Sequence, residues 1–156
     1  MSRRAPLSRR RLLRDERGAS MIELGFLSPV LLVLVLGIVD AAMGFSAKLK
    51  LQQAAARSVE MATTGGISSA AIANLGAEAA AASGQDASHI TVDKWLECDG
   101  VRQSNIDGSC NSGAQIARFV SVSVTASYSP MMSRAMSLFG LPTTLPITGD
   151  ASVRVQ

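Results

Sequence analysis

The chain has 156 residues, enough for one ordinary domain or a small domain with an appendage and too few for a multi-domain enzyme. Hydrophobic residues make up 47% but aromatics only 4%, so the apolar content is Ala, Leu, Val and Met, a membrane-leaning composition. The net charge of +3 comes from a leader: residues 1–17 carry seven Arg against Asp15 and Glu16, whereas residues 18–156 carry eight basic and ten acidic side chains, which argues against nucleic-acid binding by the body of the protein.

Leu24 to Val39 is free of ionisable groups, and only Asp40 interrupts the apolar run before Lys48. Leu24 to Ala47 therefore meets the requirement of about 20 apolar residues for roughly 30 Å of hydrocarbon, provided that Asp40 stands near the far interface. A buried core helix is the alternative, but so few aromatics elsewhere could not enclose it. Seven Arg before the span, with only Lys48 and Lys50 just after it, predict a cytoplasmic amino terminus and an exported remainder. Ser8-Arg9-Arg10-Arg11-Leu12-Leu13 has the look of a twin-arginine signal. Asp15, Glu16 and Arg17 intervene, however, before an apolar stretch longer than a signal peptide uses.

Glu23 stands at the edge of that stretch. An unpaired carboxylate in mid-bilayer costs about 2.5–3.5 kcal/mol, so the acid needs a partner. A cut after Gly18 would make Ala19 the new terminus, with an α-amine that is charged near neutrality. That amine lies about one turn from Glu23 on its own helix, or within reach of the Glu23 of a neighbouring subunit. The same cut deletes the cationic leader.

At 100° per residue Glu23, Leu27, Val30, Leu34, Gly37, Ala41 and Gly44 share a stripe, with Asp40 at its margin. Gly37, Ala41 and Gly44 would admit a second helix at close range. Pro29 removes one backbone hydrogen bond and should kink or loosen the helix between Gly25 and Pro29. Asp40 is either an intramembrane pairing group or the start of the outer interface, with the interface preferred.

Lys48 to Thr64 is rich in helix formers without Gly or Pro, so the helix should continue to Gly65-Gly66. Residues 19–64 would form one rod on the order of 70 Å long. Leu51, Ala55, Val59 and Ala62 would form its edge toward a head. Ile67 to Ser83 reads as a second helix. His89 to Leu96 alternates like a half-buried strand, with Ile90, Val92 and Lys94 opposite Thr91 and Asp93. Ile116 to Tyr128 is the clearest strand, with Val120, Val122, Val124, Ala126 and Tyr128 on one face. Pro130 to Gly140 reads as a short helix or loop, and Ile147 to Val155 as the closing strand. The expected fold is α+β: a long amino-terminal transmembrane helix, then a small exported head with a short helix and a roughly three-stranded antiparallel sheet. The domains are a leader at 1–18, the helix at 19–64 and the head at 65–156.

Cys98 and Cys110 are the only cysteines. Export makes a disulfide their natural use, closing a loop at 98–110 for about 2–3 kcal/mol in the chain-entropy account. A zinc site would have to recruit His89 and Asp99, but the spacing is wrong. Asp99-Gly100 and Asp107-Gly108 read as tight turns. The single histidine, His89, could be drawn with Asp93 and a serine as a triad, but no nucleophile elbow, phosphate loop or carboxylate pair accompanies it. No catalytic residue, metal or cofactor is expected.

Gly18-Ala19-Ser20-Met21-Ile22-Glu23, followed by an apolar helix with Pro29, resembles the class III leader of type IV-like pilins. In that leader a prepilin peptidase cuts after Gly, and Glu stands at the fifth mature position. Gly37-Ile38-Val39-Asp40 and Leu51-Gln52-Gln53-Ala54-Ala55-Ala56-Arg57-Ser58 are similar to the helix of TadE-like proteins, minor pilins or pseudopilins of tight-adherence (Flp) secretion systems. Residues 120–128 and 148–154 resemble that family's closing strands. Leu24 departs from the pattern, standing where an aromatic usually follows the Glu. The resemblance implies a peptidase-processed minor pilin that supports pilus assembly or secretion, in the inner membrane with a periplasmic head and possible incorporation into an extracellular pilus. It implies as partners the peptidase, other pilins or pseudopilins including a TadF-like one, the inner-membrane secretion platform and membrane lipid. A signal-anchored extracytoplasmic binding module is the alternative.

Overall fold

A computed structural model of the chain describes residues 16–65, 68–103 and 105–155. The leader expected at 1–18 therefore lies outside the described residues up to position 15. The order is helix α1 (Glu16–Gly65), helix α2 (Ser69–Ser83), a single 3-10 turn (Ala87–His89), strands β1 (Ile90–Cys98), β2 (Val101–Gln103) and β3 (Ile116–Tyr128), helix α3 (Ser133–Leu138) and strand β4 (Leu145–Arg154). The fold is α+β, and the sheet has four strands in the order β2-β1-β3-β4, all antiparallel. The fourth strand corrects the expectation of three. β2 escaped notice because it is only three residues long, yet the Asp99-Gly100 turn before it has positive φ at both residues, the signature of a two-residue hairpin.

Two compact units divide within α1, one ending at Val39 and one beginning at Asp40. The first is a helix whose large apolar side chains from Met21 to Val39 are all exposed, and α1 is long and apolar enough there to cross a membrane. Pro29 does not end the helix. Its ring leaves the Gly25 carbonyl without its usual amide donor, and the Ser28 hydroxyl donates to that oxygen at 3.3 Å instead.

The second unit has a core between two helices and one sheet face. Leu51, Ala55, Val59 and Ala62 of α1, the residues whose spacing marks a head-facing edge, are buried with Leu75 and Ala79 of α2 against Val120, Val122 and Val124 of β3. β1 places Ile90 opposite Val124, Val92 opposite Val122 and Lys94 opposite Val120, so the two strands share one inward face. Small residues set how closely α1 approaches. A Cβ on Gly149 of β4 would fall inside the backbone of Leu51 and Gln52. The fully buried Ser58 returns its hydroxyl to the Ala54 carbonyl at 2.9 Å and so satisfies itself within the helix. Gly84, in the left-handed region at φ 70°, caps α2.

The second hairpin arm is fastened separately. Cys98 and Cys110 form a disulfide with Cα atoms 5.6 Å apart. Ile106 is buried in that loop, and its carbonyl accepts from Arg118 Nε at 3.2 Å. Trp95 and Phe119 stack on the outer face with centroids 5.3 Å apart, and the Arg102 guanidinium lies over Trp95.

Gly149→Ala should destabilise the head by at least about 2 kcal/mol, because backbone rather than a side-chain tip must yield. Gly76→Ala should be neutral or stabilising by up to about 1 kcal/mol, since it sits inside α2 and its added methyl would meet Val92 at an ordinary 3.8 Å. Thermal melts of the full chain in detergent, followed by circular dichroism, check both.

Candidate functional site

Two acidic positions frame the apolar segment, and their surroundings differ completely. Glu23 lies in the exposed first unit and has no hydrogen bond or ion pair among the described residues. Gly18 and Ala19 have helical backbone in the first turns of α1. Gly37 is open, and a Cβ there would meet nothing within 4 Å; Ala41 is exposed.

Asp40 is the opposite case, a carboxylate buried to 8% exposure in the second unit. Its Oδ1 accepts from the Tyr128 hydroxyl at 2.9 Å and from the Met131 amide at 2.8 Å, while Oδ2 accepts from the Met132 amide at 3.1 Å. The same hydroxyl lies 3.0 Å from the Asp40 carbonyl oxygen. Local structure explains each donor. Tyr128 ends β3 on the face of the buried valines, so its ring is directed toward α1 and its hydroxyl must find an acceptor. Pro130, buried, then turns the chain, and the amides of Met131 and Met132 precede α3 where no helical partner is available to them.

Gly44 makes the approach possible. It stands one turn after Asp40 on the same side of α1, and a Cβ on it would come within 3.2 Å of the Tyr128 ring. Gly44 thus receives an aromatic ring of its own chain. Tyr128, Met131 and Met132 were not among the residues singled out from sequence. The available signal was a lone tyrosine on an otherwise aliphatic strand face, with a polar tip that burial obliges to bond.

The arrangement ties two parts of the chain that are distant in sequence. A carboxylate held by one phenol and two amides makes charge-assisted hydrogen bonds that fix the 128–132 turn to the helix. Burial, followed by the hydrogen bond and the negative charge of Asp40, raises the Tyr128 phenol above its usual value. Cys98 and Cys110 lie at the other end of β1 and serve the hairpin. Among the described residues no three His, Cys, Asp or Glu side chains gather as a metal-ligand group.

Asp40→Ala should expose the Met131 and Met132 amides, speeding their hydrogen exchange on the order of tenfold or more while the β3 amides near Val122 change little. Gly44→Val should act in the same direction by displacing the ring, and Gly37→Ala should not. Tyr128 is the only tyrosine, so ultraviolet phenolate absorbance titrates it alone. A raised folded value means that the neutral phenol favours the folded state below about pH 10, and that this contribution is lost as pH climbs through the folded value. The folded midpoint should therefore exceed about 10, and Asp40→Ala should lower it.

A family model described as TadE-like protein matches residues 18–60, a range that runs from the glycine of the expected cut through Glu23, Pro29, Asp40 and Gly44 to the head-facing edge of α1. No curated protein and no solved structure matches the chain. Over residues 18–60, about a quarter of its length, this chain is similar to TadE-like proteins.

Proposed function

We propose that this protein is a minor pilin-like subunit of a tight-adherence (Flp) pilus system, trimmed after Gly18 by a prepilin peptidase and supporting assembly of, or secretion through, the pilus. The observation that carries the reading is the TadE-like match, which begins at Gly18 and takes in the whole apolar segment. Three physical features support it. The arginine-rich leader precedes the apolar helix, which orients the amino terminus to the cytoplasm by the positive-inside rule and the head to the periplasm. Glu23 has no partner within the described chain, which suits an acid awaiting the Ala19 amine of its own or a neighbouring subunit. The disulfide suits an oxidising compartment.

In this reading the subunit works by assembly, not by catalysis, and needs no cofactor. The peptidase removes the leader; other pilins or pseudopilins, a TadF-like one among them, meet the apolar helix; the inner-membrane secretion platform receives it. Incorporation into the extracellular filament is one destination. The alternative is a signal-anchored extracytoplasmic binding module, which would keep its leader or lose everything to about Ala47.

Amino-terminal sequencing and intact mass of membrane-isolated protein decide between them, with a mature chain beginning at Ala19 expected and an intact leader ruling the pilin reading out. Gly18→Phe should block trimming, because a protease subsite beside a helix start demands a small group. Glu23→Ala should leave trimming largely intact but reduce surface pili severalfold, read by filament counts in electron micrographs. Normal piliation in that variant contradicts the charge-pairing role.

A further inference from the structure

The turn that Asp40 holds carries several large exposed apolar side chains. Leu138 is 83% exposed, Phe139 81%, Met131 69% and Leu141 52%. Scattered single apolar residues on a surface are ordinary, but these are clustered on one short segment. They are also held in place. α3 closes with Gly140 in the left-handed region at φ 68°, with the Gly140 amide donating to the Ser137 carbonyl at 3.1 Å and the Leu141 amide to the Met136 carbonyl at 3.0 Å. That paired pattern fixes a helix end and presents Leu138, Phe139 and Leu141 on a defined turn.

Position and charge say what covers them. Residues 131 and 132 are bonded to Asp40, and Asp40 directly follows Val39, the last residue of the uncharged run. Met21 to Val39 amounts to about 28 Å of helix, close to the roughly 30 Å of a hydrocarbon core, so Asp40 falls at the level where headgroups begin. From Ser129 to Ile147 there is no acidic residue, and the one charged side chain is the cation Arg134, although the chain after the leader is acidic overall. A segment rich in Met, Leu and Phe, with a single positive charge, at headgroup depth, has the composition of an interfacial anchor.

We propose that the Met131–Leu145 segment is a lipid-contacting foot, in which Leu138, Phe139 and Leu141 seat in the headgroup and acyl boundary of the bilayer. The inference rests on reading the apolar part of α1 as a membrane span. The foot's bonds to Asp40, the residue that follows the uncharged run, tie it to the end of that run.

The test uses the full chain in proteoliposomes of phosphatidylcholine and phosphatidylglycerol at low protein density. Trp95 is the only tryptophan, so Trp95→Phe gives a dark background. Phe139→Trp, Leu138→Trp and, as a marker of the span, Leu31→Trp are added to it one at a time. Lipids brominated near the glycerol should quench the reporters at 139 and 138 about twofold more than lipids brominated near the bilayer centre, with the reverse order at 31. Two results overturn the foot and leave the span standing, given central quenching at 31. Ready quenching of positions 138 and 139 by aqueous acrylamide, without bromine quenching, puts the turn in water. Shielding from both quenchers puts it against protein, either a second copy or another subunit. Absence of bromine quenching at 31 overturns the span and the foot together.

Discussion

The structure depends on one charged group, the Asp40 carboxylate, being satisfied by donors that the rest of the chain delivers. Four residues of α1, Leu51, Ala55, Val59 and Ala62, bury against the sheet, and apolar contact of this kind is non-directional. It does not select which turn of a long helix meets which end of the strands. The carboxylate does select, because a phenol and two amides at fixed positions bond to one acid, Asp40. Gly44 and Gly149 are the steric counterparts, one clearing space for the Tyr128 ring and the other for the helix backbone itself.

Much of the fold was legible because period and composition agreed. β3 alternates without a break from Val120 to Tyr128, and its expected limits match those observed. The head-facing edge of α1 follows from spacing alone. What was less legible depended on partners distant in sequence or on elements too short for a period. β2 has three residues, and only its turn announces it. Trp95 lies on the outer face, as its alternation with Val92 and Lys94 requires, but no local rule says that Phe119 and Arg102 will join it.

The two acids make the same point about the site. Glu23 is conspicuous in the sequence as an acid beside hydrocarbon, whereas Asp40 reads there as either an intramembrane pairing group or the start of the outer interface. Within the described chain it is Asp40 that collects donors, while Glu23 has none. Asp40 thus does the intramolecular work among the described residues. Sequence reasoning weighs burial cost well but cannot see which distant amides a fold leaves unpaired.

The disulfide joins residues 12 apart, and the hairpin at Asp99-Gly100 is more local still. The donors to Asp40 lie 88, 91 and 92 residues downstream of it. Loop closure over such separations comes late, and synthesis runs from the amino end. The acid is therefore synthesised long before its donors, and a chain that stops short of the third strand and the turn after it leaves the Asp40 carboxylate without them.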